Sequence, residues 1–135
     1  MRILLFILFL VHLCLFSQNS ISVHVHNVRS NKGHIHVAVY NSDATFLSFD
    51  EVFKVGTEIA HEGIVQLRIE DLPSGEYALA VFHDENGNGK LDTNWLGIPK
   101  EKVAFSKGKM KTFGPPKYEE CSFRIHSDYE INVEL

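Results

Sequence analysis

Apolar and polar residues alternate with a period of two over most of this chain. In "ISVHVHNV" Ile21, Val23 and Val25 fall on one face and Ser22, His24 and His26 on the other. "HIHVAVY" repeats the scheme, with Ile35, Val37 and Val39 set against His34, His36 and Ala38. Successive side chains of a strand point to opposite faces, so this period predicts half-buried β-strands. Asn31, Lys32 and Gly33 supply turn chemistry between the two runs, and the pair is expected to form a β-hairpin. A loop at 30–32 would set His26 opposite His36 and Val28 opposite His34.

Further along, "GIVQLRIEDLPSG" predicts a strand at about 63–70 that ends in a Pro-Ser-Gly turn. "EYALAVFH" is apolar on both faces, with Tyr77, Leu79 and Val81 against Ala78, Ala80 and Phe82. That composition predicts a central strand covered on both sides. "CSFRIH" and "YEINVEL" supply two closing strands. Segment 42–62 is compatible with a short helix or a strand, and its Phe46, Phe49 and Phe53 are expected to cap the core. From Gly87 to Glu120 the chain is irregular and rich in Gly, Pro and Lys. A loop of that length inside a small domain is usually functional or pinned by a ligand. The sum is an all-β, prealbumin-like antiparallel β-sandwich of about seven strands, with one long irregular segment.

The first residues fall outside this pattern. Met1-Arg2 precedes an apolar run from Ile3 to Phe16, too short to span a bilayer, which needs about 20 residues. It is expected to be a signal peptide cleaved after Ser17, leaving one domain at 18–135 and no transmembrane segment. His12 and Leu13 fit a lipoprotein site around Cys14 poorly. Secretion, or retention in the periplasm or cell envelope, follows. Loss of Arg2 takes the 13 basic residues to 12 against 17 acidic, a formal charge of −5. No basic stripe is visible, which argues against nucleic acid as a partner. Cys121 would be the sole cysteine left, so no internal disulfide can brace the exported domain.

Candidate chemistry concentrates in "HDENGNGKLDTNW", residues 83–95. With Asp84 as position 1, Asn86 and Asn88 fall at 3 and 5 and Gly89 at the sharp-turn position 6. The Lys90 carbonyl and Asp92 then stand at 7 and 9. Those are the first nine positions of an EF-hand-type loop, which offers hard oxygens to calcium. The twelfth position is Trp95 instead of a bidentate Glu, and a strand precedes the loop instead of a helix. An EF-hand is therefore excluded, and what stays is a calcium loop carried on a β-scaffold. Asn94, Glu85, Glu119, Glu120 or water would complete the shell. Affinity is expected in the weak range of extracellular modules, roughly 10⁻⁴–10⁻³ M. The competing reading is a solvated turn, because "ENGNGK" contains two Asn-Gly pairs.

"LPSGEYALAVFHDENGNGKLDTNWLGIPKEKVAFS", continuing into "FGPPKYEECSF", resembles the bacterial family of small exported proteins catalogued as domain of unknown function 2141. The resemblance covers most of the chain after residue 17 and implies no established activity, substrate or catalytic residue. "LPSGEYALAVF" also resembles transthyretin-like and carboxypeptidase-regulatory-like sandwiches over a shorter span.

Other constellations are thinner. His24, His26, His34 and His36 share the polar face of the expected hairpin, where they either hold a transition metal or simply face solvent. His83 shares its face with Tyr77, Leu79 and Val81, and is expected to be partly buried and to orient the loop. His83, Asp84 and Asp92 are also the residues a metal-assisted hydrolase would use, but no recognised catalytic motif accompanies them. Cys121 follows two glutamates that oppose thiolate formation, and is expected to be a buried strand residue. Trp95 either forms an exposed patch with Phe105 and Phe113 or packs over the loop. The reading is a non-enzymatic binding or structural module with an unidentified protein or carbohydrate ligand.

Overall fold

The computed structural model describes residues 18–135, so the expected signal peptide at 1–17 lies outside the described residues. Among the described residues eight strands form in chain order: β1 Asn19–Val28, β2 His34–Tyr40, β3 Lys54–Ile59, β4 Gly63–Leu72, β5 Gly75–Asp84, β6 Val103–Phe105, β7 Phe123–Ile125 and β8 Tyr129–Glu134. A single helical turn, α1 (Tyr118–Cys121), precedes β7. The strands make two sheets, β4-β1-β8 and β3-β2-β5-β6, with β7 pairing the start of β5. All pairs are antiparallel except β1–β8, which is parallel.

The period-two pattern assigns inward faces as expected: Ile21, Val23 and Val25 of β1 and Ile35, Val37 and Val39 of β2 have no accessible surface. These six belong to one apolar core between the sheets. The expected hairpin is corrected, because β1 and β2 lie in different sheets. β1 uses both edges, with β4 on one and β8 on the other, so none is left for β2. His24 and His26 therefore sit on the outside of one sheet, and His34 and His36 on the outside of the other. Among the described residues no three His, Cys, Asp or Glu side chains group as metal ligands.

β5 is the doubly covered central strand that its composition predicts, with Tyr77, Leu79 and Val81 in the core and Ala78 in a second cluster on the outer face. That second cluster also holds Tyr40, Phe105, Tyr118 and Cys121. Segment 42–62 resolves into two 3₁₀ turns and β3. Phe46 packs edge-on against Tyr40 and Tyr118, whereas Phe49 and Phe53 are exposed and do not cap the core. Segment 87–120 is less irregular than expected, since β6 and α1 form within it. Cys121 is buried as expected, at the end of α1 instead of in a strand. Burial raises its pKa first, and Glu120 adds to that.

Asp128, in the β7–β8 turn, ties the start of β1 to the far end of the chain. Its carboxylate accepts the Ser20 N–H at 2.8 Å and meets Arg68 Nη2 at 3.2 Å. The Ser20 bond first, and Arg68 beside it, hold the carboxyl below its ordinary 3.8. A carboxyl depressed in the folded state adds stability above its unfolded pKa, and that stability is lost as pH falls through the folded value. Asp128→Asn is therefore expected to melt below the parent protein at neutral pH and to converge with it well below pH 3.8. Melts across pH check this; a gap that stays constant contradicts it.

Candidate functional site

The last residue of β5 organises the loop. Asp84 has no accessible surface, and its side chain lies on the outer face of the sheet, opposite His83. Oδ1 accepts the N–H groups of Gly87 (2.7 Å) and Asn88 (3.2 Å), and Oδ2 accepts that of Gly89 (2.7 Å). Gly87 and Gly89 take φ of 72° and 75°, which lets the backbone curl its amides onto the carboxylate. His36 Nε2 stands 3.3 Å from Oδ2. Burial is the largest single influence on this carboxyl and pushes its pKa up. The hydrogen bonds from Gly89, Gly87, His36 and Asn88 together outweigh it, so Asp84 lies below the ordinary carboxylate value.

His36 is held in turn. Its Nδ1 lies 3.0 Å from Thr57 Oγ1, and its ring stacks on Phe82 with centroids 4.8 Å apart. The β2–β5 register sets His36 opposite Phe82 and His34 opposite Asp84, so His36 reaches Asp84 diagonally. His83 is 2% exposed and lies 2.8 Å from the Lys32 carbonyl through Nε2. Its backbone N–H donates to Lys102 O. The inward histidine thus fastens the root of the loop to the β1–β2 connection, a fuller burial than its position predicts. At that connection Gly33 has φ +70°, and a Cβ there would lie 1.8 Å from the Asp84 carbonyl oxygen.

The polar side chains of the loop converge on Asp92. Asn86 Nδ2 and Asn88 Nδ2 donate to its two oxygens at 2.5 and 3.0 Å. Meanwhile Asn86 Oδ1 accepts the Asn88 N–H and Asn88 Oδ1 accepts the Lys90 N–H, at 3.0 and 2.9 Å. The Asp92 N–H donates to Glu101 Oε2 at 3.0 Å, and its carbonyl accepts from Lys100. Two of the residues expected to complete the shell, Asn94 and Glu120, are engaged elsewhere. Asn94 Oδ1 accepts the N–H groups of Leu96 and Ile98, closing the 94–98 turn. Glu120 binds Lys111 Nζ and the Lys117 N–H, which hold its carboxyl below the usual range. Trp95 is 90% exposed, so it does not pack over the loop. Phe105 is buried and Phe113 fully exposed, so the expected three-aromatic patch does not form as a unit.

Comparison with known proteins bears on the chain as a whole. A family model described as an uncharacterised protein conserved in bacteria, domain of unknown function 2141, matches residues 23–132. The chain belongs to that family. Searches of curated proteins and of solved structures returned no match. In this member of the family, the match runs from within β1 into β8 and contains the whole 83–95 loop.

Two contributors in this family member lay outside the sequence reading, His36 in this role and Glu101. Alternation does set His36 and Asp84 on outer faces, but only the β2–β5 register brings them together. Glu101 reaches Asp92 because a bridge between Thr93 and Pro99 folds 92–100 back on itself. That return leaves no periodic trace in the sequence.

Proposed function

We propose that this protein is an exported, non-enzymatic β-sandwich module whose 84–92 loop takes calcium weakly. The observation that carries the reading is the convergence of Asn86 and Asn88 on the Asp92 carboxylate, beside an Asp84 already locked by three backbone amides. A half-turn of each Asn amide exchanges its nitrogen for an oxygen. Two amide oxygens would then face a carboxylate, an arrangement that repels itself without a cation and coordinates one when it is present. The half-turn gives up the bonds to the Asn88 and Lys90 N–H groups, which is consistent with weak affinity. Export rests on the apolar run at 3–16.

At ten times its dissociation constant calcium would add about 1.4 kcal/mol, or roughly 3–7 °C in melting temperature for a domain of this size. Melts in millimolar calcium and in chelator test this. Asp92→Asn is expected to melt near the parent in chelator and to lose the calcium response. Coincident parent curves would end the calcium reading. A hydrolytic reading has less support. His83 and Asp84 are buried on opposite faces of β5, and their polar atoms are committed to Lys32 and to the loop amides.

A further inference from the structure

The outer face of the β2-β5-β6 sheet carries apolar residues where solvent-facing positions would normally be polar. α1 covers one part of that face, where its Tyr118 and Cys121 pack with Tyr40, Ala78 and Phe105. Over the rest, Ala38, Ala80 and Phe82 form the floor of a cavity of about 770 Å³. Its walls come from three separate excursions of the chain: Phe49 from the first, Leu96 and Ile98 from the second, Met110 and Phe113 from the third. Small-molecule sites typically run from about 300 to 1,000 Å³ with a mostly apolar lining and a few polar groups. Alanines at Ala38 and Ala80 keep the floor low, and larger residues at either position would fill the space.

The chain segment that runs along the cavity carries charge of one predominant sign. Residues 100–111 contain Lys100, Lys102, Lys107, Lys109 and Lys111 against a single acid, Glu101, in a chain of net charge −4. Lys102, Lys111 and Glu101 line the cavity itself. Glu101 is turned to the Asp92 N–H and Lys111 to Glu120, whereas Lys102 makes no ion pair among the described residues. An apolar cavity whose lining includes Lys102, an exposed lysine without an ion pair, is complementary to a small amphiphile with a negative head.

We infer that this cavity binds a single-chain amphiphilic carboxylate, with its hydrocarbon body over Ala38 and Ala80 and its head group at Lys102. The inference rests on the binding-module reading and not on calcium, and it names a small amphiphile as a ligand of that module.

The test is titration of the purified protein, in chelator, with decanoate and decyltrimethylammonium below their critical micelle concentrations and with decanol below its solubility limit. Calorimetry and the fluorescence of Trp95, the sole tryptophan, report binding. Decanoate is expected to bind one per chain and about tenfold tighter than the ammonium analogue. Lys102→Glu should erase that preference while decanol binding stays unchanged. Ala80→Leu should weaken decanoate and decanol alike by about tenfold. Should that variant fold poorly, Lys102→Glu at the exposed rim still decides the question. Equal affinity for anion and cation, no saturable binding, or association only with anionic phospholipid vesicles would each overturn the inference. A calcium-dependent melt without decanoate binding overturns this site alone. Decanoate binding with coincident melts leaves it standing and removes the calcium reading.

Discussion

Gly33→Ala is expected to be the most damaging single-methyl change in the molecule. The added Cβ would lie 1.8 Å from the Asp84 carbonyl oxygen and 2.9 Å from Glu85 Cα, and both neighbours are backbone. At φ +70° an alanine is strained even with free space around it, by roughly 1 kcal/mol. Relief of the contact requires the β1–β2 connection to move away from the end of β5. That movement pulls the Lys32 carbonyl off His83 and the Gly33 carbonyl off the Ala60 N–H. A total loss of about 3–5 kcal/mol follows, a large part of a typical domain stability of about 5–15 kcal/mol. Circular dichroism melts should show a fall of roughly 10 °C or more. A melting temperature within a few degrees of the parent would mean that the connection is free to shift.

Asp84→Asn comes second. The substitution keeps the shape and replaces one acceptor oxygen by an amide that donates. Its nitrogen would face either the Gly89 N–H and His36 or the N–H groups of Gly87 and Asn88. Either orientation leaves part-buried donors facing a donor, at up to about 1–3 kcal/mol for each unsatisfied group. A loss of about 2–4 kcal/mol is expected in chelator, with no calcium response. Asp92→Asn, at a partly exposed site, should lose the response without the large destabilisation. The pair therefore separates the structural role of the first carboxylate from the ligand role proposed for the second. If Asp84→Asn melted like the parent in chelator, the carboxylate would not be what holds the loop.

Much of the fold was legible because β-structure leaves a direct trace. Inward positions at Ile21–Val25 and Ile35–Val39 follow from alternation alone, and β5 announces its central place by being apolar on both faces. Pairing left no such trace. Alternation says which face a residue takes, not which strand lies beside it. Adjacent runs joined by Asn31-Lys32-Gly33 look like a hairpin until β8, about a hundred residues later, takes the second edge of β1. The loop was legible through residue spacing up to Asp92. Its remaining partners, His36 and Glu101, arrive through sheet register and a chain reversal, which are properties of the assembled molecule. The apolar chamber was hidden for a similar reason. Phe49, Ile98 and Phe113 lie far apart in sequence and border one cavity only because three excursions of the folded chain run beside the same sheet face.

The parallel pairing of β1 with β8 also governs when this domain can exist at all. Ser20 and Asp128 are joined across 108 positions, and no local contact substitutes for that closure. Chains with such distant pairings fold slowly, since loop entropy must be overcome before the contact rewards it. Until the final strand is synthesised and docked, β1 presents an open edge of unsatisfied amides and carbonyls, a template for another chain. The C-terminal six-residue strand thus acts as a clasp, and a chain shortened before Tyr129 would meet its neighbours with that edge uncovered.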